Sequence, residues 1–182
     1  MVINADDYYG KTAYKKAADF MKGNQGNNSY ALAGYVLRET LSEHGSVSRG
    51  VCTMDDNNNL LSVNERIKII AKENGIVDED SGLTFTGNEL ASMNFWICQP
   101  TIFGSIEKDL REFLSHSEDT SKGEIYLPFV VQDMLQDGNI TVKVIPSGGE
   151  WFGVTYASDK EKSVAMLQDM TTNGNYPSPL WD

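Results

Sequence analysis

Tyr30-Ala31-Leu32-Ala33-Gly34-Tyr35-Val36-Leu37 carries no charged side chain and no apolar–polar alternation. A short run of that kind reads as a strand with both faces covered, rather than one with a solvent face. Working outward, Tyr14, Ala17, Ala18 and Met21 recur at helical spacing before it, and the Gly- and Asn-rich residues 23–28 end that helix. Further upstream, Val2-Ile3-Asn4-Ala5 reads as the end of a buried strand that runs into Asp6-Asp7-Tyr8-Tyr9-Gly10. Downstream, Gly50–Met54 and Leu60–Val63 flank Asp55-Asp56-Asn57-Asn58-Asn59, which predicts a hairpin with a polar tip. Residues 76–89 look irregular, and Ser92–Cys98 is a strand. Pro100-Thr101 opens a helix with Ile102, Ile106, Leu110, Phe113 and Leu114 on its inner face, and residues 116–123 form a polar loop. A second helix carries Phe129, Val130, Met134 and Leu135 and stops at Gly138, a position suited to a left-handed cap. Ile140–Ile145 alternates as a strand does, and a last helix runs from about Ser158 to Met170. Strands thus alternate with helices. That order predicts an α/β fold, with a mixed and mostly parallel sheet covered by helices on both faces, built as one domain over residues 1–182.

Twenty-six acidic against 15 basic residues give a formal charge of −11, which argues against a nucleic-acid partner. No run of about 18 apolar residues is present, so a membrane partner is not expected. Met1–Asp6 has neither a basic stretch nor a long apolar one, so no export signal is read and the expected compartment is the cytoplasm. Cys52 and Cys98 form no C-x-x-C pair and lie in apolar stretches, the setting of buried free thiols.

Several groups could carry chemistry. Asp6 and Asp7 stand where an apolar strand ends, and a carboxylate there either holds a hard cation such as Mg²⁺ or caps the next helix. Glu65 and Arg66 follow a strand. A Glu accepts from sugar hydroxyls and an Arg grips a phosphate through two N–H groups, although the same pair also reads as a solvent ion pair. Trp151-Phe152-Gly153 places aromatics beside a glycine, as at a close backbone approach or a capped sheet edge. The hairpin tip is no calcium loop: Leu60 stands where such a loop needs Gly and Arg66 where it needs a carboxylate. His44 and His116 have no partner at a metal or triad spacing and read as surface residues.

Val2-Ile3-Asn4-Ala5-Asp6-Asp7-Tyr8-Tyr9-Gly10 resembles the strand-and-aspartate motif of the sugar-1-phosphate nucleotidyltransferases, and Val63-Asn64-Glu65-Arg66 resembles their E-K-P segment. The helix-opening segment Lys122-Gly123-Glu124-Ile125-Tyr126-Leu127-Pro128 is also similar, and the motifs occur in the family's order. The resemblance implies an incomplete Rossmann-like fold, the C-terminal two-thirds of such an enzyme. The Gly-rich loop that would hold the nucleoside triphosphate has no counterpart here. It implies the substrates sugar 1-phosphate and nucleoside triphosphate, and Mg²⁺ as cofactor. Asp6 would bind the metal, Arg66 the sugar phosphate, and Gly34, Glu65 and Asn94 the sugar. A second metal-binding Asp expected near Trp151 is replaced by Gly153, a place that Asp7 or Asp159 could fill. An uncovered edge at Val2–Ala5 predicts self-association into a homo-oligomer. The competing expectations are a non-catalytic sugar-phosphate-binding or interaction domain, a transferase acting on an alcohol phosphate, and an α/β domain without a ligand.

Overall fold

The structure is a computed structural model that describes residues 1–23, 26–42, 45–73, 75–116, 123–153 and 159–181. The readings of His44 and of the His116 side chain, and most of the loop at 116–123, lie outside the described residues. In chain order the elements are β1 (Asp7–Tyr8), α1 (Lys11–Gly23), β2 (Ser29–Val36), a 3-10 turn (Leu37–Thr40), β3 (Val47–Met54), β4 (Leu60–Lys72), β5 (Gly75–Asp78), β6 (Thr84–Phe85), β7 (Leu90–Ile97), α2 (Ile102–His116), α3 (Leu127–Gln136), β8 (Thr141–Pro146), β9 (Phe152–Gly153) and α4 (Asp159–Thr172).

The expected Rossmann-like, mostly parallel sheet is not what forms. A seven-stranded sheet runs in the order β6-β5-β4-β3-β7-β2-β8, and β1 pairs separately with β9. In the seven-stranded sheet β2 and β8 are parallel, and every other neighbouring pair is antiparallel. The physical reason lies in the connections. β3 through β6 follow one another by short turns, and a short turn can join strands only in opposite directions. Residues 76–89, read as irregular, supply β5 and β6. α1 joins strands of two different sheets, so it is not a crossover within one sheet.

The sheet also curls into a half-barrel. The tip of the β3–β4 hairpin crosses to β8: Asn59 bridges Lys143, the Val144 N–H donates to the Asn58 carbonyl at 2.9 Å, and the Lys143 ammonium donates to the Asn57 carbonyl. Asp55 organises that tip. Its Oδ1 accepts from the backbone N–H groups of Asn57 (2.9 Å) and Asn59 (2.8 Å), and Asn58 takes the left-handed φ of 58° that asparagine tolerates.

β2 is buried along nearly its whole length, as its uncharged sequence requires. Tyr30 and Leu32 pack in one cluster with Trp96, Val142 and Val144, against Val130, Val131 and Met134 of α3. Ala31, Ala33 and Tyr35 face the other cluster, with Ala13 and Ala17 of α1 and Phe95. Alanines one helical turn apart, set against alanines on the strand, let α1 lie close to the sheet. Two apolar readings do not hold. Leu110 and Leu114 of α2 are 44% and 57% exposed, since the helix enters the core through Ile102 and Ile106 near its start. Val2 and Ile3 are exposed at 43% and 38%, because that segment touches the sheet through a single bridge from Val2 to Trp96. Among the described residues no helix is long and apolar enough to cross a membrane.

Burial holds both thiols protonated, raising Cys52 to about 12 and Cys98 to about 11. Alkylation by iodoacetamide at pH 8 is therefore expected to be at least about a hundredfold slower in the folded protein than in urea, because the thiolate is the reacting form. Similar rates in the two states would show that neither thiol is held in the core.

Candidate functional site

Segments distant in sequence meet at a cavity of about 240 Å³. Asn4, Asp6 and Asp7 come from the chain entering β1, Ser48, Arg49 and Gly50 from β3, Glu65 from β4, Ser92, Met93 and Asn94 from β7, and Trp151 from the approach to β9. The structure thus places Asp6, Glu65 and Asn94 on the lining of one cavity.

Each is delivered by a local irregularity or a pairing. Asp6 lies in the exposed turn before β1. Asp7 is tied down: its Oδ2 accepts from the Asn4 side-chain amide at 2.9 Å and from the Tyr9 hydroxyl at 3.2 Å. The single Tyr9 O–H is shared between that carboxylate and the Met93 carbonyl, the nearer acceptor at 2.8 Å, and the Tyr9 oxygen accepts from the Asn4 backbone N–H at 3.1 Å. Tyr9 is fully buried, and that burial, chiefly, raises its pKa and keeps the hydroxyl neutral. Asn94 sits where β7 departs from strand geometry. The β2–β7 register shifts between Leu32 and Gly34, and Asn94 has φ of 60° and is exposed between buried Met93 and Phe95. Asparagine tolerates this left-handed conformation, as it does at Asn58.

Glu65 pairs in register with Gly50. Its carboxylate reaches the glycine so closely that a Cβ at position 50 would lie 3.3 Å from Glu65 Oε2 and 2.7 Å from a Val63 methyl. Glu65 reaches solvent as a residue, yet partial desolvation at the cavity wall raises its pKa, opposed by the positive charge of Arg49. Arg49 is the cation of the cavity. Its Nε and Nη2 both donate to the Thr40 carbonyl, its Nη1 donates to the Ser48 carbonyl at 2.7 Å, and its guanidinium lies 5.0 Å from the Trp151 ring centre. Desolvation lowers its pKa, and Asp7 and Glu65 act against that.

Two expected site residues lie elsewhere. Arg66 pairs in register with Arg49 but is not part of the cavity lining, and its Nη1 is 3.8 Å from the buried carboxylate of Asp78 on β5. Gly34 faces the core, where a Cβ would lie 3.0 Å from Leu90 and from Val144. Its glycine is required by strand packing, and its carbonyl accepts from the Ser147 N–H at 2.8 Å. Arg49 and Gly50 went unread in the sequence. The available signal was a charged residue followed by glycine within the otherwise apolar strand Arg49-Gly50-Val51-Cys52.

At position 153 the structure leaves no room for a side chain. Asp7 and Gly153 are register partners, and a Cβ on Gly153 would stand 2.7 Å from Asp7 Oδ1. The Asp7 carboxylate occupies the space that a side chain at 153 would need. Among the described residues no group of three or more His, Cys, Asp or Glu side chains is arranged to hold a metal ion. A larger recess of about 540 Å³ lies at the start of α1 and holds none of the expected residues. Its aromatic side chains satisfy one another: Tyr8 stacks on Phe152 at 4.5 Å, and its hydroxyl meets that of Tyr176 at 2.9 Å. The chain matches no protein-family model, and no curated protein matches it.

Proposed function

We propose that the cavity between β1, β3, β4 and β7 binds a sugar 1-phosphate, and that the chain supplies the sugar-phosphate part of a nucleotidyltransferase. The observation that carries this reading is the meeting of Asp6, Glu65 and Asn94 in one cavity from three separate segments. In the reaction, an oxygen of the sugar phosphate attacks the α-phosphorus of a nucleoside triphosphate in line. A new P–O bond forms, the bond to the β-phosphate breaks, and pyrophosphate leaves. No protein nucleophile is needed. Glu65 and Asn94 orient the sugar through its hydroxyls.

The donor set fits Mg²⁺, which takes one or two carboxylates and completes its shell with water and substrate phosphate oxygens. Asp6 is exposed at the cavity, and Asp7 Oδ1 stands in the space above Gly153, so these two carboxylates would hold the ion. When bound, it neutralises phosphate charge. Electrostatics supports the requirement. Asp6, Asp7 and Glu65 outnumber Arg49, so a phosphate entering without a cation meets net negative charge.

The test is thermal unfolding of the chain with a panel of aldose 1-phosphates, with and without Mg²⁺. Stabilisation is expected only with both, reaching about 2.7 kcal/mol at a hundredfold excess over Kd. Asp6→Ala is expected to abolish the Mg²⁺ dependence. A shift of equal size without Mg²⁺, or one that survives in Asp6→Ala, rejects the metal assignment. No shift with any aldose 1-phosphate rejects the whole reading. A second reading is a sugar-phosphate-binding domain without catalysis, supported by Gly153, which offers no side chain to a metal. It predicts binding that is indifferent to Mg²⁺.

A further inference from the structure

Arg49 is held in a way that the sugar contacts do not explain. Three of its N–H groups are spent on the carbonyls of Thr40 and Ser48, and its planar head lies over Trp151. These contacts fix the guanidinium but do not neutralise it, for a carbonyl is a dipole and not a counter-ion. Among the described residues no carboxylate comes within 4 Å of Arg49, whereas Arg66 has Asp78 at 3.8 Å. A guanidinium carries five N–H donors, so one on each terminal nitrogen has no partner among the described residues. Beside it, the buried indole N–H of Trp151 also lacks an acceptor among them. A fixed, desolvated cation with donors to spare at a cavity wall is suited to a tetrahedral oxyanion, which accepts charge-assisted hydrogen bonds in pairs.

Resting on the reading of the cavity as a sugar-phosphate site, we propose that Arg49 rather than Arg66 takes the phosphate of the bound aldose phosphomonoester. The division of labour then follows position. Glu65 and Asn94 address the hydroxyls of the sugar, and Asp6 addresses the metal. Arg49 addresses the phosphate from the β3 side, while Arg66 serves the fold by meeting Asp78 on β5.

Calorimetric titration of the chain with aldose 1-phosphates, inorganic phosphate and unphosphorylated glucose, all in Mg²⁺, tests this. Arg49→Gln and Arg49→Lys are expected to weaken aldose 1-phosphate binding by about tenfold or more, the scale of a lost charge-assisted pair. Arg66→Gln is expected to leave binding within about twofold. Arg49→Lys keeps the charge and loses the fork, so it decides the matter if the Gln variant does not fold. The same two variants are expected to weaken inorganic phosphate, which shares the anionic group, and not glucose, which lacks it. Equal weakening of glucose would assign Arg49 to the cavity wall and overturn the proposal. Weakening by Arg66→Gln with none by Arg49→Lys would overturn it too, and would leave the sugar-phosphate reading standing. No heat from the unmodified chain with any phosphomonoester would remove both.

Discussion

Trp96→Ala is expected to destabilise the protein by about 3–5 kcal/mol, the range for removing a large aromatic from a packed core. Trp96 is fully exposed to the core and not at all to solvent, and it packs among the residues of β2, β8 and α3. Trp96→Phe is expected to cost much less than that. The indole Nε1–H is buried with no acceptor among the described residues, so phenylalanine removes an unpaired donor along with the lost volume. Its backbone pairing with Val2, 2.8 Å in one direction and 3.0 Å in the other, is independent of the side chain. Urea unfolding of the two variants separates the contributions. A Phe variant as unstable as the Ala variant would mean that the indole N–H contributes through a hydrogen bond. The site is sensitive to the same position, since Asn94 and its bulge lie two residues upstream on β7.

Gly50→Val is expected to have the largest effect on binding. A Cβ at this position would lie 2.7 Å from a Val63 methyl, 3.3 Å from Glu65 Oε2 and 3.4 Å from Ser92 Cβ. The neighbours on both adjacent strands must therefore shift, an overpacking cost of about 1–3 kcal/mol. The added methyl groups also fill the cavity at the point where Glu65 faces it. Loss of aldose 1-phosphate binding below detection is expected in a protein that still unfolds cooperatively. Gly50→Ala is expected to retain more of both properties. Full binding by the valine variant would mean that the ligand does not approach the β3 backbone here.

The local elements were largely legible in the sequence, because they rest on periodicity and on turn chemistry. The uncharged run at 30–37, the hairpin around Asp55–Asn59 and the cap at Gly138 (φ of 70°) each encode their conformation in a few neighbouring residues. Strand direction was not legible in the same way. It depends on which strands become neighbours, and α1, α2 and α3 lie between strands that are not adjacent in the sheet. The expected alternation itself breaks down in the middle of the chain, where β3 to β7 follow one another with no α-helix between them and α3 follows α2 directly, so the inference to parallel pairing failed there.

The site divides similarly. Asp6 and Glu65 were singled out through short motifs and Asn94 through its strand, and the three line one cavity although Glu65 and Asn94 lie in the middle of β4 and β7. Gly34 and Gly50 look alike in sequence, since each is a glycine inside an apolar strand. Only the tertiary neighbours distinguish them: Leu90 and Val144 for the first, Glu65 and open cavity for the second. Arg49 and Arg66 are distinguished in the same manner, by Trp151 and Asp78.

The closure of the half-barrel by the hairpin tip has a consequence for the order of events in folding. β3 and β4 find each other through a short turn and can pair early, whereas β2 waits for β8, and the tip has nothing to grip until β8 arrives. Contacts between residues so far apart along the chain are reached late, because loop-closure entropy must be overcome before they stabilise anything. A chain emerging from the ribosome would therefore hold a preformed hairpin and an unclosed sheet until residues 141–146 appear. During that interval the open side of β2 is the surface most in need of protection.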